Sequence, residues 1–139
     1  FGCEVAMTDA PVLVSRDGPV ARITLNRPQL HNAFDEALIA GLAVLDIHPT
    51  VPESERLWML NSVAVPKGVD DRAIRGRLLG RHGIEIGGGL GSLAGKIWRI
   101  GLMGESSRVQ SVRRLLACLA IELRSSRTNQ AIDAADQCV

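Results

Sequence analysis

Two short runs rich in β-branched and apolar residues, 12–16 and 20–25, flank Asp17, Gly18 and Pro19 and predict a β-hairpin with a turn at those three residues. From Asn32 the period changes: Phe34, Leu38, Gly41 or Leu42, and Leu45 fall on one helical face, with Asn32 as N-cap and an end before Pro49. Pro49, Pro52, Glu53, Glu55 and Arg56 mark a loop, and 57–65 then reads as a strand. Lys67 and Gly68 turn the chain into a helix over 71–82, capped by Asp70, with Ile74, Leu78 and Leu79 facing the core and Gly83 at the C-terminal cap. Residues 84–86 and 96–102 read as strands around a glycine-rich connection. Val109, Val112, Leu116, Leu119 and Leu123 recur at spacings of three and four, so a last helix follows, capped by Ser106 or Ser107. After Arg124 the pattern fades, and 125–139 reads as a frayed helix or disordered tail.

The order ββαβαββα predicts an α+β fold: a small single-layer, mainly antiparallel sheet with helices packed on it. A hairpin alone is marginal in water, so a second copy of the chain is expected to cover its apolar face, which makes a homodimer the expected state. With 139 residues and 46% hydrophobic content, one small domain can bury about two thirds of its unfolded surface. A formal charge of +1 with interspersed signs gives no reason to expect nucleic acid or a membrane surface as a partner. Without a long apolar run or a signal-peptide pattern, the reading is a soluble, cytoplasmic protein. Cys3, Cys118 and Cys138 suggest neither a disulfide framework nor a zinc ribbon; Cys118 reads as a small core side chain, Cys3 and Cys138 as exposed thiols in the tails. The lack of tyrosine argues against an aromatic platform for single strands.

Two family resemblances divide the chain. Residues 7–38 resemble the opening of the enoyl-CoA hydratase and isomerase (crotonase) family, most specifically in ITLNRPQLHNA at 23–33. Met7 falls where such a protein would start, so 1–6 are expected to be extraneous. Residues 49–124 are similar to the C-terminal small domain of class V aminotransferases of the alanine-glyoxylate and serine-pyruvate kind, with 81–91 and 95–104 as the diagnostic pieces. The join lies between about 39 and 46, giving one chimeric domain over 7–124.

Neither resemblance brings a complete active site. The aminotransferase reaction needs a Schiff-base lysine and an acidic partner for pyridoxal phosphate. In the family both belong to the large domain, and Lys67 and Lys96 match no such motif, so no pyridoxal phosphate is expected here. What the resemblance carries over is Arg99, which in KIWRIGLMG holds the position that binds the substrate carboxylate. The later glutamates and the backbone oxyanion donors of crotonases are likewise absent.

The remaining candidates are new constellations. Gly89, Gly91 and Ala94 fit G-x-G-x-x-A, but a strand follows where a dinucleotide site requires a helix, and Leu90 and Ile97 break a P-loop. These glycines read as backbone freedom, with an anion nest beside Arg99 or Lys96 as the weaker alternative. His82 reads as a structural or exposed residue at a helix end. His31 with Asp35, and Asp46 with His48, form two ligand pairs at opposite ends of a helix about 20 Å long. An antiparallel dimer would bring them together around a divalent metal of the zinc or manganese class. Glu36 would then accept a proton from metal-bound water, while Arg99 and Lys96 would hold an anionic small-molecule substrate. The sequence is thus read as a truncated chimera lacking both parental activities and, if catalytic, as a metal-dependent hydrolase of an anionic ester such as a phosphodiester. The alternative is a non-catalytic folded scaffold derived from an aminotransferase small domain.

Overall fold

The computed structural model describes residues 12–25, 35–57 and 59–138. The chain divides into two compact units, 1–32 and 33–139. In the first, β1 (Val12–Asp17) pairs antiparallel with β2 (Val20–Leu25), and Gly18 takes a left-handed φ of 57° in the turn between them. This is the predicted hairpin, closed where Asp17, Gly18 and Pro19 placed it.

The second unit carries α1 (Asp35–Val44), β3 (Leu60–Ala64), α2 (Asp71–His82), β4 (Gly87–Gly88), β5 (Ile97–Gly101), α3 (Val109–Glu122) and α4 (Thr128–Asp136). Its sheet is antiparallel in the order β3-β5-β4. The α+β class with a mainly antiparallel sheet is therefore the observed one, with the strands divided between two ladders instead of one layer. Val63 pairs with Trp98 and Asn61 with Ile100, so alternation sends these four toward the buried side. Ser62 and Arg99, paired one position along, fall on the opposite face.

Helix α2 follows from its local signals. Asp70 accepts from the Ala73 amide at 3.0 Å, and Gly83, at φ 63°, ends the helix in a Schellman arrangement: its own amide donates to Leu79 and that of Ile84 to Leu78. Ile84 is thereby drawn into the cap. The predicted strand at 84–86 gives way to a two-residue ladder at Gly87 and Gly88. Of the predicted core residues of this helix, Ile74 and Leu78 are buried and Leu79 is exposed.

Helix α3 buries Val112, Leu115, Leu116, Leu119 and Ala120 against Leu38, Leu42, Ile47, Ile100 and Leu102 in one core. The chain enters it through a 3₁₀ turn at Gly104–Ser106, and its N-cap is Arg108, without a side-chain capping bond, where Ser106 or Ser107 was expected. Cys118 is partly buried against the core, which pushes its thiol pKa up, and Cys138 is exposed.

The expected frayed or disordered tail is instead the packed helix α4, with Ala131 and Ala135 buried. Large apolar residues are not needed there because Gly41 leaves room. A Cβ on Gly41 would lie 2.3 Å from Leu116 Cδ1 and 2.8 Å from the Ala131 carbonyl oxygen. Small residues on α4 pass close to α1, and dispersion contacts replace long side chains. Among the described residues no helix is long and apolar enough to cross a membrane.

Candidate functional site

Arg99 sits at the middle of β5, between Ser62 on β3 and Gly87 on β4. Its Nε donates to the Gly88 carbonyl at 2.8 Å. A side chain on Gly87 would meet the Arg99 guanidinium at 3.4 Å, and one on Gly88 would meet that of Arg75 at 3.0 Å. The glycine pair therefore lets two arginines lie across β4. Gly89 is tighter still, since a Cβ there would reach the Leu93 carbonyl at 1.9 Å. Close backbone approach accounts for these glycines, in line with rejecting a dinucleotide fingerprint.

Beside Arg99 is a cavity of about 170 Å³, lined also by Pro49, Val51, Arg56, Leu57, Asn61 and Ser62, with Glu55 on its wall. Its outer wall is the segment after α1, which runs along β3: the Ala64 amide donates to His48 O and the Thr50 amide to Ser62 O, both at 2.9 Å. The Thr50 and Ser62 hydroxyls are 2.7 Å apart, and Arg56 Nε donates to Val51 O at 3.0 Å. Asn61 is buried, and its Nδ2 has no partner among the described residues. Two guanidinium groups on the lining of one cavity offer the kind of donors that a carboxylate accepts.

The other predicted site residues are distributed differently. Lys96 is exposed and does not line this cavity. Glu36 is exposed on α1. His31 lies outside the described residues, as does the side chain of Asp35. Asp46, at a left-handed φ of 60°, is hydrogen-bonded and ion-paired to Arg127, which holds its carboxyl below the usual carboxylate range. His48 is exposed. Among the described residues no group of three or more His, Cys, Asp or Glu side chains is placed to hold a metal ion.

The two lysines of the chain stand apart from the cavity at Arg99. Pyridoxal phosphate chemistry uses a lysine that forms the Schiff base; Lys67 and Lys96 are both exposed, and neither lines that cavity.

Two ionic clusters escaped the sequence reading. Asp71 receives both Nε and Nη2 of Arg75, at 2.7 and 2.9 Å, and the Trp98 indole N–H at 2.9 Å. The Arg75 bonds, aided by the indole, pull its pKa down. On α3, Glu122 is buried and accepts from His82 Nε2 at 2.9 Å, Arg77 Nε at 2.5 Å and, more weakly, Arg81 Nη1 at 3.5 Å. These partners, His82 first, depress its pKa. One signal was available in the sequence: Glu122 stands three residues past Leu119, on the apolar stripe of α3.

Because Glu122 titrates lower in the folded state, the stability it contributes is present above the ordinary carboxylate range and is lost as pH falls through its folded pKa. Glu122→Gln should therefore flatten the acid limb of the urea-midpoint profile below about pH 5. A profile parallel to wild type would remove Glu122 from the acid response.

With this mixed α+β fold, the relatives and structural neighbours of the chain are class V aminotransferases. The (S)-ureidoglycine–glyoxylate transaminase of Bacillus subtilis (strain 168) is 39% identical over 99 residues, which is 70% of this chain and 24% of that protein. The alanine–glyoxylate aminotransferase of Drosophila melanogaster is 35% identical over 98 residues, 70% of this chain and 25% of the relative. The crystal structure of the B. subtilis ureidoglycine-glyoxylate aminotransferase superposes with a TM-score of 0.72 at 36% identity, covering 80% of this chain and 30% of that one. The chain thus spans about a quarter of the length of the curated relatives it matches. No family model matches it. The aminotransferase resemblance is supported; nothing in the comparisons supports the crotonase resemblance of 7–38 or a metal-dependent hydrolase.

Proposed function

We propose that this chain is a folded, non-catalytic scaffold of aminotransferase small-domain type that retains a binding pocket for the carboxylate of a small amino or oxo acid. The observation that carries this reading is Arg99, held by Gly88 O beside a cavity that Arg56 also lines. A guanidinium offers a carboxylate two parallel N–H bonds. The relatives named above are transaminases of glyoxylate, which makes glyoxylate the natural probe. The scaffold part rests on the exposed lysines, which leave this chain without a group to hold pyridoxal phosphate.

The test is an amide NMR titration with glyoxylate. Saturable shifts are expected around Asn61, Ser62, Gly88 and Arg99, and Arg99→Ala should weaken binding about tenfold or more, the order expected from losing a charge-assisted bond. Unchanged binding by Arg99→Ala would refute the pocket. Transamination by the chain on addition of pyridoxal phosphate would refute the non-catalytic scaffold.

A further inference from the structure

A second concavity, of about 410 Å³, lies where α2 meets the end of α3, and is lined by Arg77, Arg81, Ile121, Glu122 and Arg124. We infer that it is a binding site for a doubly charged, phosphate-sized oxyanion, distinct from the pocket at Arg99.

Charge is the first reason. Three guanidinium groups line the concavity against one carboxylate, which leaves two positive charges in excess among its lining residues. Both oxygens of that carboxylate are already occupied, by Arg77 on Oε2 and by His82 and the long contact from Arg81 on Oε1. Each guanidinium has five N–H donors. The Arg124 side chain has no hydrogen-bond or ion-pair partner among the described residues, and Arg81 keeps all but one long contact to spend on a ligand. Like charges gathered in a concave surface repel one another and focus the field on an incoming anion.

Backbone geometry is the second reason. Arg77 and Arg81 are one helical turn apart, so both rise from the same face of α2. Arg124 follows the end of α3 at a φ of 55°, the left-handed residue of a Schellman cap in which the Ser125 amide donates to Ala120 O and the Arg124 amide to Ile121 O. The cap thus sets a third cation at the end of α3, on the lining of the same concavity as Arg77 and Arg81. Glu122 acts as a fixed anchor that aligns Arg77, so the site is partly preorganised without being neutralised.

Two charges and several bidentate donors favour phosphate over a monocarboxylate. The shared chemistry is that of inorganic phosphate or the phosphoryl group of a monoester, and titrating each separately distinguishes them. In amide NMR at low ionic strength, inorganic phosphate should give saturable shifts at Arg81, Ile121 and Arg124, and a simple alkyl phosphate should do the same if the natural ligand is a larger phosphorylated molecule. The double substitution Arg81→Ala with Arg124→Ala leaves Arg77 and His82 on Glu122, so the fold is expected to persist, as an otherwise unchanged amide spectrum would show. It should weaken phosphate binding by at least about tenfold, while Lys67→Ala, which removes one exposed charge elsewhere, should not. The inference is overturned if neither anion produces saturable shifts there, if the double variant binds as wild type does, or if Lys67→Ala loses as much.

Discussion

Replacing Trp98 by alanine is expected to cost about 3–5 kcal/mol, the range for deleting a buried large aromatic side chain, which would leave a small domain close to unfolded. Trp98 is fully buried on β5, opposite Val63, and its indole N–H donates to Asp71 Oδ1 at 2.9 Å. It therefore joins the sheet to the first turn of α2, on the buried side of the strand that presents Arg99 on its other face. Urea denaturation should show a lower midpoint with little change in slope. Trp98→Phe separates the two contributions: it keeps a large ring and gives up the bond to Asp71, for a cost of about 1 kcal/mol from that bond. If Trp98→Ala cost no more than Trp98→Phe, packing around the indole would not be what holds the sheet to α2.

The second large effect is expected at Gly41. A methyl group there would sit 2.3 Å from Leu116 Cδ1 and 2.8 Å from the Ala131 carbonyl oxygen, and Leu116 is itself fully buried. Relief requires the buried Leu116 side chain to change position or α4 to move away from α1. Gly41→Ala should destabilise by about 1–3 kcal/mol, the usual cost of overpacking, although alanine is intrinsically the better helix former. Hydrogen exchange should report the damage first in α4, whose amides are expected to lose protection before those of β5. A stabilised Gly41→Ala protein would mean that α4 does not pack on α1 as described.

How far the sequence could be read depended on whether each determinant was local. Helix α2 was legible to the residue, because Asp70 and Gly83 act on backbone groups three to five positions away. The hairpin was legible for the same reason, its turn residues lying between the two strands they join. Strand limits were less so. The span 57–65 shortened to Leu60–Ala64, and 84–86 moved to Gly87–Gly88, because a strand extends only as far as a partner from elsewhere in the chain pairs with it. The helix over 32–45 is observed from Asp35 to Val44, with Asn32 and Phe34 outside the described residues.

The candidate sites divide in the same way. Arg99 was singled out by the motif around it, but its setting was not. Asn61, Arg56 and Pro49 lie roughly 40 to 50 residues before it and meet it only through the β3-β5 register and the strand-like run of 48–50. The pairing of Asp46 with His48 was drawn from adjacency in sequence, and adjacency could not show that Arg127, on the segment leading into α4, takes the Asp46 carboxylate. Glu122 likewise draws its partners from a helix some 40 residues earlier.

By itself the sequence determined the α+β class, the caps of α2, the hairpin turn, the apolar stripe of α3 and the likeness to aminotransferase small domains, all of them carried by short-range patterns or by motifs. Only the tertiary structure decided that α4 packs, that glycines 87 and 88 make way for two arginines, and which charges meet Glu122 and Asp46. Those outcomes depend on free volume and on distances between residues far apart in the chain, quantities that a linear pattern of side chains does not contain.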